Sequence, residues 1–420
     1  MTFILFRYDD GSIFLIRRVL ALILFPERVF NHKSFVMRTV KMKILVLLFT
    51  VACVVPAFAQ QQDTVKVSKE KPKEKYPQFL FKGLLQARYV TSLTNHVDID
   101  GLHHTDDEYT SNDFDLKRVR LQVQVKLTKR TEVVVLANLA DFKSDPKNKV
   151  LENAYMKYSF SPGLNLVFGQ FRPWFGIEET YPVDVIKSMD YSNQYYEFAK
   201  NGWTSFQEGA AIMGDIKIGQ LGTQYSIAIV NGNGRNQPKD KDNGKQLMSR
   251  LVFDLFSKNG VKLGLNGGYG KVFRKDVHAL GIDLTGNIKF NEKWGLDMQA
   301  EAKQGVNHVM YYSLKEADRA SHLGDYMMRA VYFLPNLRYD INYKNLSSIE
   351  CSIRYEYMDV NYKLNPNPRH SFTPMISLGF LKNYDARIQL GLIMERYNKE
   401  TDNTTEHNSN TLILQLQSRF

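Results

Sequence analysis

The chain is patterned with a period of two. In residues 116–127, LKRVRLQVQVKL, the apolar Val119, Leu121, Val123, Val125 and Leu127 share one parity. Arg118, Arg120, Gln122, Gln124 and Lys126 share the other. Successive strand side chains point to opposite faces, so this run predicts a strand that is greasy on one side and wet on the other. So long a row of polar side chains is unusual on a half-buried soluble strand and suits a wall with lipid outside and water inside. The same alternation predicts strands near 79–91, 114–127, 131–141, 150–160, 164–171, 206–216, 221–231, 247–257, 260–270, 278–290, 294–304, 324–333, 347–359, 373–381, 384–396 and 411–420. That makes about sixteen. Pro335 and Asn336 interrupt 334–346, and a further strand at 337–344 would raise the number to eighteen.

The connections alternate in length. Those at 128–130, 161–163, 217–220, 257–260, 291–293 and 382–385 are short, whereas 92–113, 172–205, 231–246, 305–323, 360–372 and 397–410 are long. KVFRKD, 271–276, is moderate. Tight periplasmic turns opposite long external loops are the asymmetry of a transmembrane barrel, and a soluble sandwich has no reason for it. The fold expected is therefore all-β, a transmembrane antiparallel β-barrel with both termini on the periplasmic side. Its last strand, TLILQLQSRF, must pair with its first, because an open edge in lipid leaves backbone groups without partners. The terminal Phe420 resembles the signal that barrel proteins present to their assembly machinery.

Composition supports this choice. The 420 residues are 12% aromatic, with a mean hydropathy of −0.34. No segment after residue 59 approaches the ~18 apolar residues of a spanning helix. Residues 37–60, MRTVKMKILVLLFTVACVVPAFAQ, carry a basic start, an apolar stretch and an Ala-x-Ala site, the pattern of a secretory signal cleaved after Ala59. Residues 1–36 read as an extension from a start codon placed too early, and 60–77 as a flexible tail before a barrel at 78–420. Of two cysteines, only Cys351 lies beyond the signal, so no internal disulfide is available. Beyond Ala59 the formal net charge falls from +11 to +6, and with a secretory signal nucleic acid is not an expected partner.

The inward parity carries Arg88, Arg118, Arg120, Lys126, Arg354 and Arg387, offset by Glu350, Glu356 and Glu395. The strand at 294–304 adds Asp297, Gln299, Glu301 and Lys303. These are candidate pore-lining residues. In the long connection 172–205, Glu178, Glu179, Asp184 and Lys187 are candidates for a constriction that faces the wall arginines and sets selectivity. His103-His104-Thr105-Asp106-Asp107-Glu108 reads as a solvated loop rather than a metal site, since adjacent histidines seldom serve one ion. PKDKDNGK, 238–245, lacks calcium-loop spacing. GGYG, 267–270, sits in a strand where glycine suits close packing. No catalytic motif and no cofactor site is found, so an enzyme is not expected. Two functions remain: passive diffusion of small hydrophilic solutes with weak anion preference, or a surface-binding barrel with a plugged lumen whose long loops hold a partner.

One stretch carries a family resemblance. RVRLQVQVKLTKRTEVVVLANLADF, followed by LENAYMKYSFSPGLNLVFGQFRPWFGIEE, contains Gly169-Gln170-Phe171-Arg172-Pro173-Trp174-Phe175-Gly176, which resembles the GQF-x-x-P-F-G element of the phosphate-selective porin O and P family. NGNG at 231–234 and the terminal QLQSRF are similar to later family segments. The resemblance implies a sixteen-stranded, trimeric porin in the outer membrane of a Gram-negative bacterium. Phosphate selectivity is not carried over, because the inferred inward faces mix acids with the basic residues.

Overall fold

The computed structural model describes residues 74–106, 108–143, 149–237, 239–240, 242–256, 260–319, 322–380 and 386–420. The expected extension, signal segment with its Ala59 site, and most of the tail lie outside the described residues.

Sixteen antiparallel strands close one barrel, each paired to its sequence neighbours and β1 to β16. They are β1 (Gln78–Ser92), β2 (Asn112–Lys126), β3 (Thr131–Asn138), β4 (Leu151–Ser161), β5 (Leu164–Phe171), β6 (Gln207–Ile218), β7 (Leu221–Val230) and β8 (Gln246–Phe256), followed by β9 (Val261–Val272), β10 (Lys275–Lys289), β11 (Trp294–Val306), β12 (Met327–Tyr343), β13 (Leu346–Asp359), β14 (Arg369–Phe380), β15 (Ala386–Tyr397) and β16 (Ser409–Arg419). Every strand read from the alternation is present. The eighteen-strand alternative is set aside because β12 runs straight through Pro335. Pro335 pairs with Met298 of β11, while the ladder to β13 passes from Phe333–Tyr355 to Asn336–Ser352 with no pair between. A proline without an N–H costs one rung there but does not shift the register. The moderate connection KVFRKD becomes a hairpin whose central residues, Phe273 and Arg274, have φ of 45° and 66°. This left-handed pair matches the mirror-image turn favoured in two-residue hairpins. It is the tight exception among the connections at the long-loop end.

The two parities separate as lipid and lumen require. Phe81, Leu121, Phe168, Leu284, Leu414 and Leu416 project outward and are exposed, as is Cys351. Gln86, Asn336, Gln389, Gln415 and Gln417 project inward and are buried. Between β1 and β2 the register slips: Gln86 pairs with Arg118, but Ala87 pairs with Leu116. Lys117 is the extra residue of a β-bulge, which re-aims neighbouring side chains.

The inward faces are not covered by water alone. The connection between β5 and β6 folds into the barrel and carries two short helices, α1 (Ile177–Thr180) and α2 (Asn193–Lys200). Its Phe175, Phe198 and Trp203 are fully buried against Val230, Met248, Val277, Val306 and Met328 from the wall and Tyr326 from the connection before β12. Each such side chain contributes roughly 1.5–3 kcal/mol when removed from water. Part of the lumen is therefore an apolar core, which the alternation within single strands does not indicate.

Candidate functional site

The inward-folded segment starts where β5 ends. Gly176 has a φ of 107°, in the left-handed region, and a Cβ there would collide with the Glu301 and Lys303 side chains. Glycine alone fits this close approach. The approach lets Gly176 N–H donate to Asn266 Oδ1 and Ile177 N–H to Glu301 Oε1, each at 2.9 Å. The backbone is thus docked on β9 and β11 immediately after the strand. Arg172 then clamps the segment on itself. Its guanidinium donates to Glu179 at 3.1 Å and to the Tyr181 carbonyl and Tyr191 hydroxyl, each at 3.0 Å.

Further along, ion pairs and hydrogen bonds tie the segment to opposite walls. Asp190 accepts from Arg118 at 2.7 Å and Lys117 at 3.0 Å on β2, and from the Tyr196 hydroxyl at 2.6 Å. The bulge explains how adjacent residues Lys117 and Arg118 reach one carboxylate. Burial disfavours the charge on Asp190, yet Arg118 and Lys117 hold its carboxyl well below the usual range. From β13, Arg354 donates to Ser188 Oγ at 3.0 Å and to the Asp190 carbonyl at 2.6 Å, and pairs with Glu356 at 2.7 Å. Arg387 donates to the Ile186 carbonyl at 3.1 Å. Lys187 bridges Asp297 at 3.3 Å and Glu350 at 3.5 Å, and Asp184 accepts from Arg419 at 3.0 Å. Glu178 accepts from the Ser192 N–H at 2.8 Å, and also from the Ser192 hydroxyl. Burial pushes its carboxyl up to about 7, against the pull of Arg354.

The remaining sequence candidates are spread along the wall. Arg88 pairs with Asp115 at 3.2 Å, and Arg120 with Glu152 at 2.7 Å. Glu350 also accepts from Asn336 at 3.0 Å and Arg338 at 3.4 Å. Glu395 accepts from Ser371 at 3.1 Å near the long-loop end, and Lys126 is exposed at the short-turn end of β2. The structure therefore does not leave a bare basic row: Arg88, Arg118 and Arg120 each face an acid. Of the segment's expected acids, Glu179 is used within the segment, Asp184 meets the wall, and Glu178 turns back to Ser192. The acid that meets the basic row is Asp190, which sequence reasoning missed. Lys117, Arg172 and the buried Arg250–Asp283 pair, 2.5 Å apart, were missed too. The parity of β10 could have flagged Asp283, but no local signal marks Lys117 without the bulge.

On the short-turn side of the segment is a cavity of about 750 Å³, lined by Lys187, Lys289, Arg338, Asp297, Asp340 and Trp294 among others. On the long-loop side, one of about 320 Å³ is bordered by Glu197, Lys200, Arg369, Tyr397 and Glu406. Both mix cations with acids. Gly268 in GGYG takes the Trp203 ring against its Cα, in line with the packing role expected of glycine in that strand.

A closed sixteen-stranded barrel, apolar outside, with a segment folded inward after the fifth strand, defines an outer-membrane porin. A family profile described as phosphate-selective porin O and P matches residues 91–310, more than half of the chain, and the protein belongs to that family. No curated protein matches the chain in sequence. Among solved structures it is similar to the outer membrane channel DcaP of Acinetobacter baumannii, at 12% identity, with 84% of this chain and 100% of that one covered and a TM-score of 0.52. It is also similar to a loop L8 deletion mutant of OmpT of Vibrio cholerae (11% identity, 82% and 99% covered, TM-score 0.52). An anion-selective porin from Comamonas acidovorans gives 9% identity, 82% and 100% covered, and a TM-score of 0.51. At these identities the likeness concerns the fold. The chain is a porin of the Gram-negative outer membrane, with its short turns periplasmic and its long loops external.

Proposed function

We propose that this porin passes small hydrophilic solutes and ions by diffusion, with a weak preference for anions, through a lumen constricted by residues 172–206. The observation that carries this reading is the set of charged contacts between that segment and opposite walls: Asp190 to Arg118 and Lys117 on one side, Lys187 to Asp297 and Glu350 on the other. Arg88, Arg118, Arg120, Arg354 and Arg387 concentrate positive charge on inward faces, and low-dielectric walls focus such a field. Pairing with acids dilutes it, which is why the preference is weak and phosphate selectivity does not follow. The pores assemble as a homotrimer, and the closing strand is what the barrel-assembly machinery engages. The packed Phe175, Phe198 and Trp203 favour a second reading, a plugged barrel that binds a partner through its external loops.

Single-channel recording in planar bilayers separates the two, since a plugged barrel gives no unitary conductance. For the porin, replacing Arg118 and Arg120 together by Gln should shift the reversal potential in a salt gradient toward cations. The shift should shrink between 0.1 M and 1 M salt, as the screening length falls from about 10 Å to about 3 Å. A wild type that already prefers cations, or a double variant with no shift, refutes the assignment.

A further inference from the structure

The loop between β1 and β2 and the loop between β15 and β16 flank the seam where the barrel closes. Four of the chain's nine histidines, His96, His103, His104 and His407, lie on them. His103 and His104, adjacent in sequence, part company. His104 pairs with Asp98 at 2.8 Å and stacks on Tyr109. His103 instead stacks on His407 from the other loop, with ring centroids 4.2 Å apart. We infer that His103, His407 and Asp402, with Glu400 as a fourth donor, form a site for a borderline divalent transition metal such as Zn2+, which clasps the two external loops across the seam.

The donor atoms already converge. His103 Nδ1 lies 3.7 Å from Asp402 Oδ1, and His407 Nε2 lies 3.9 Å from the same oxygen and 3.1 Å from Glu400 Oε2. The three ligand atoms of His103, Asp402 and His407 lie within 4.8 Å of one another. Zinc bonds of ~2.0–2.1 Å in a tetrahedron place neighbouring donors ~3.3 Å apart, so closing the shell draws these atoms together by up to about 1.5 Å for the widest pair. The two rings lie within 18° of parallel, so one must turn out of the stack for both in-plane lone pairs to meet a single ion. His407 Nε2 faces Glu400, and its Nδ1 lies 3.3 Å from the Asn408 carbonyl, so a metal bound at Nε2 would leave the ring proton on Nδ1, where that carbonyl accepts it. His103 Nδ1 accepts a long hydrogen bond from Asn403 N–H, 3.3 Å, which a metal would displace. The loops are held in register without the metal: His103 N–H donates to the Thr404 carbonyl at 3.0 Å, and Thr105 N–H to Asn403 Oδ1 at 3.1 Å. Two imidazoles with two carboxylates suit zinc-like ions, whereas calcium and magnesium require all-oxygen shells.

The test is titration calorimetry of the folded full-length barrel in detergent with ZnCl2. One saturable Zn2+ per chain is expected, undisturbed by excess Ca2+. His407→Ala and Asp402→Asn should each weaken binding at least about tenfold, while His104→Ala should bind like the wild type. All variants should keep heat-modifiable migration, and Asp402, which is largely exposed, supplies the comparison if His407→Ala does not fold. No saturable binding, equal displacement by Ca2+, or unchanged affinity in Asp402→Asn overturns the site.

Discussion

Leu284 and Thr285 are neighbours on β10, yet the structure places them in different solvents. Leu284 projects outward and is 46% exposed, between Leu263 and Ala300 on the flanking strands. Thr285 projects inward, between Lys262 and Gln299. Leu284 is five residues from the periplasmic end of β10, at Lys289. With a rise of ~3.4 Å per residue and a tilt of ~40°, it stands about 13 Å above that end, close to the centre of an apolar band ~25 Å tall. An arginine at mid-bilayer on the lipid face costs about 2–4 kcal/mol. Leu284→Arg should therefore lower the folding equilibrium constant roughly 30- to 700-fold. Thr285→Arg, facing water, should cost little. Reversible guanidinium unfolding in lipid vesicles, followed by tryptophan fluorescence and heat-modifiable migration, measures both. Equal costs would mean that β10 is out of register, or that the sheet does not sit in lipid as described.

Two further outcomes follow from buried contacts. Arg250 holds Asp283 with two hydrogen bonds, at 2.5 Å and 3.0 Å, inside the wall. Arg250→Ala should therefore cost about 3–5 kcal/mol, and Arg250→Met with Asp283→Leu should recover most of it; the same unfolding assay would refute this if the single and double variants lost equally. Phe420 exchanges backbone hydrogen bonds with Gly83, at 2.7 Å and 3.1 Å, which close the seam at the short-turn end. Deleting Phe420 should reduce the yield of heat-modifiable protein in outer-membrane fractions, and an undiminished yield would show that the seam closes without it.

The barrel was legible in the sequence because its cause is local. Each strand meets lipid on one face and water on the other, so the alternation in LKRVRLQVQVKL or TLILQLQSRF states the inside and outside of that strand without reference to any other. The number of strands and the sidedness of the loops follow by repetition. Pro335 was the exception: whether a proline breaks a strand depends on which neighbour its missing N–H would have faced, and that is a property of the sheet. The charged interior was legible only as a list of inward residues. Which cation meets which acid depends on the bulge at Lys117, on the path of 172–206 through the lumen, and on strands hundreds of residues apart. Asp190 reaches Arg118, and His103 reaches His407, through contacts that no spacing in the chain encodes. Period-two patterning is imposed by solvent on each strand separately, whereas a charge pair or a metal shell exists only once the barrel has closed and brought its loops together.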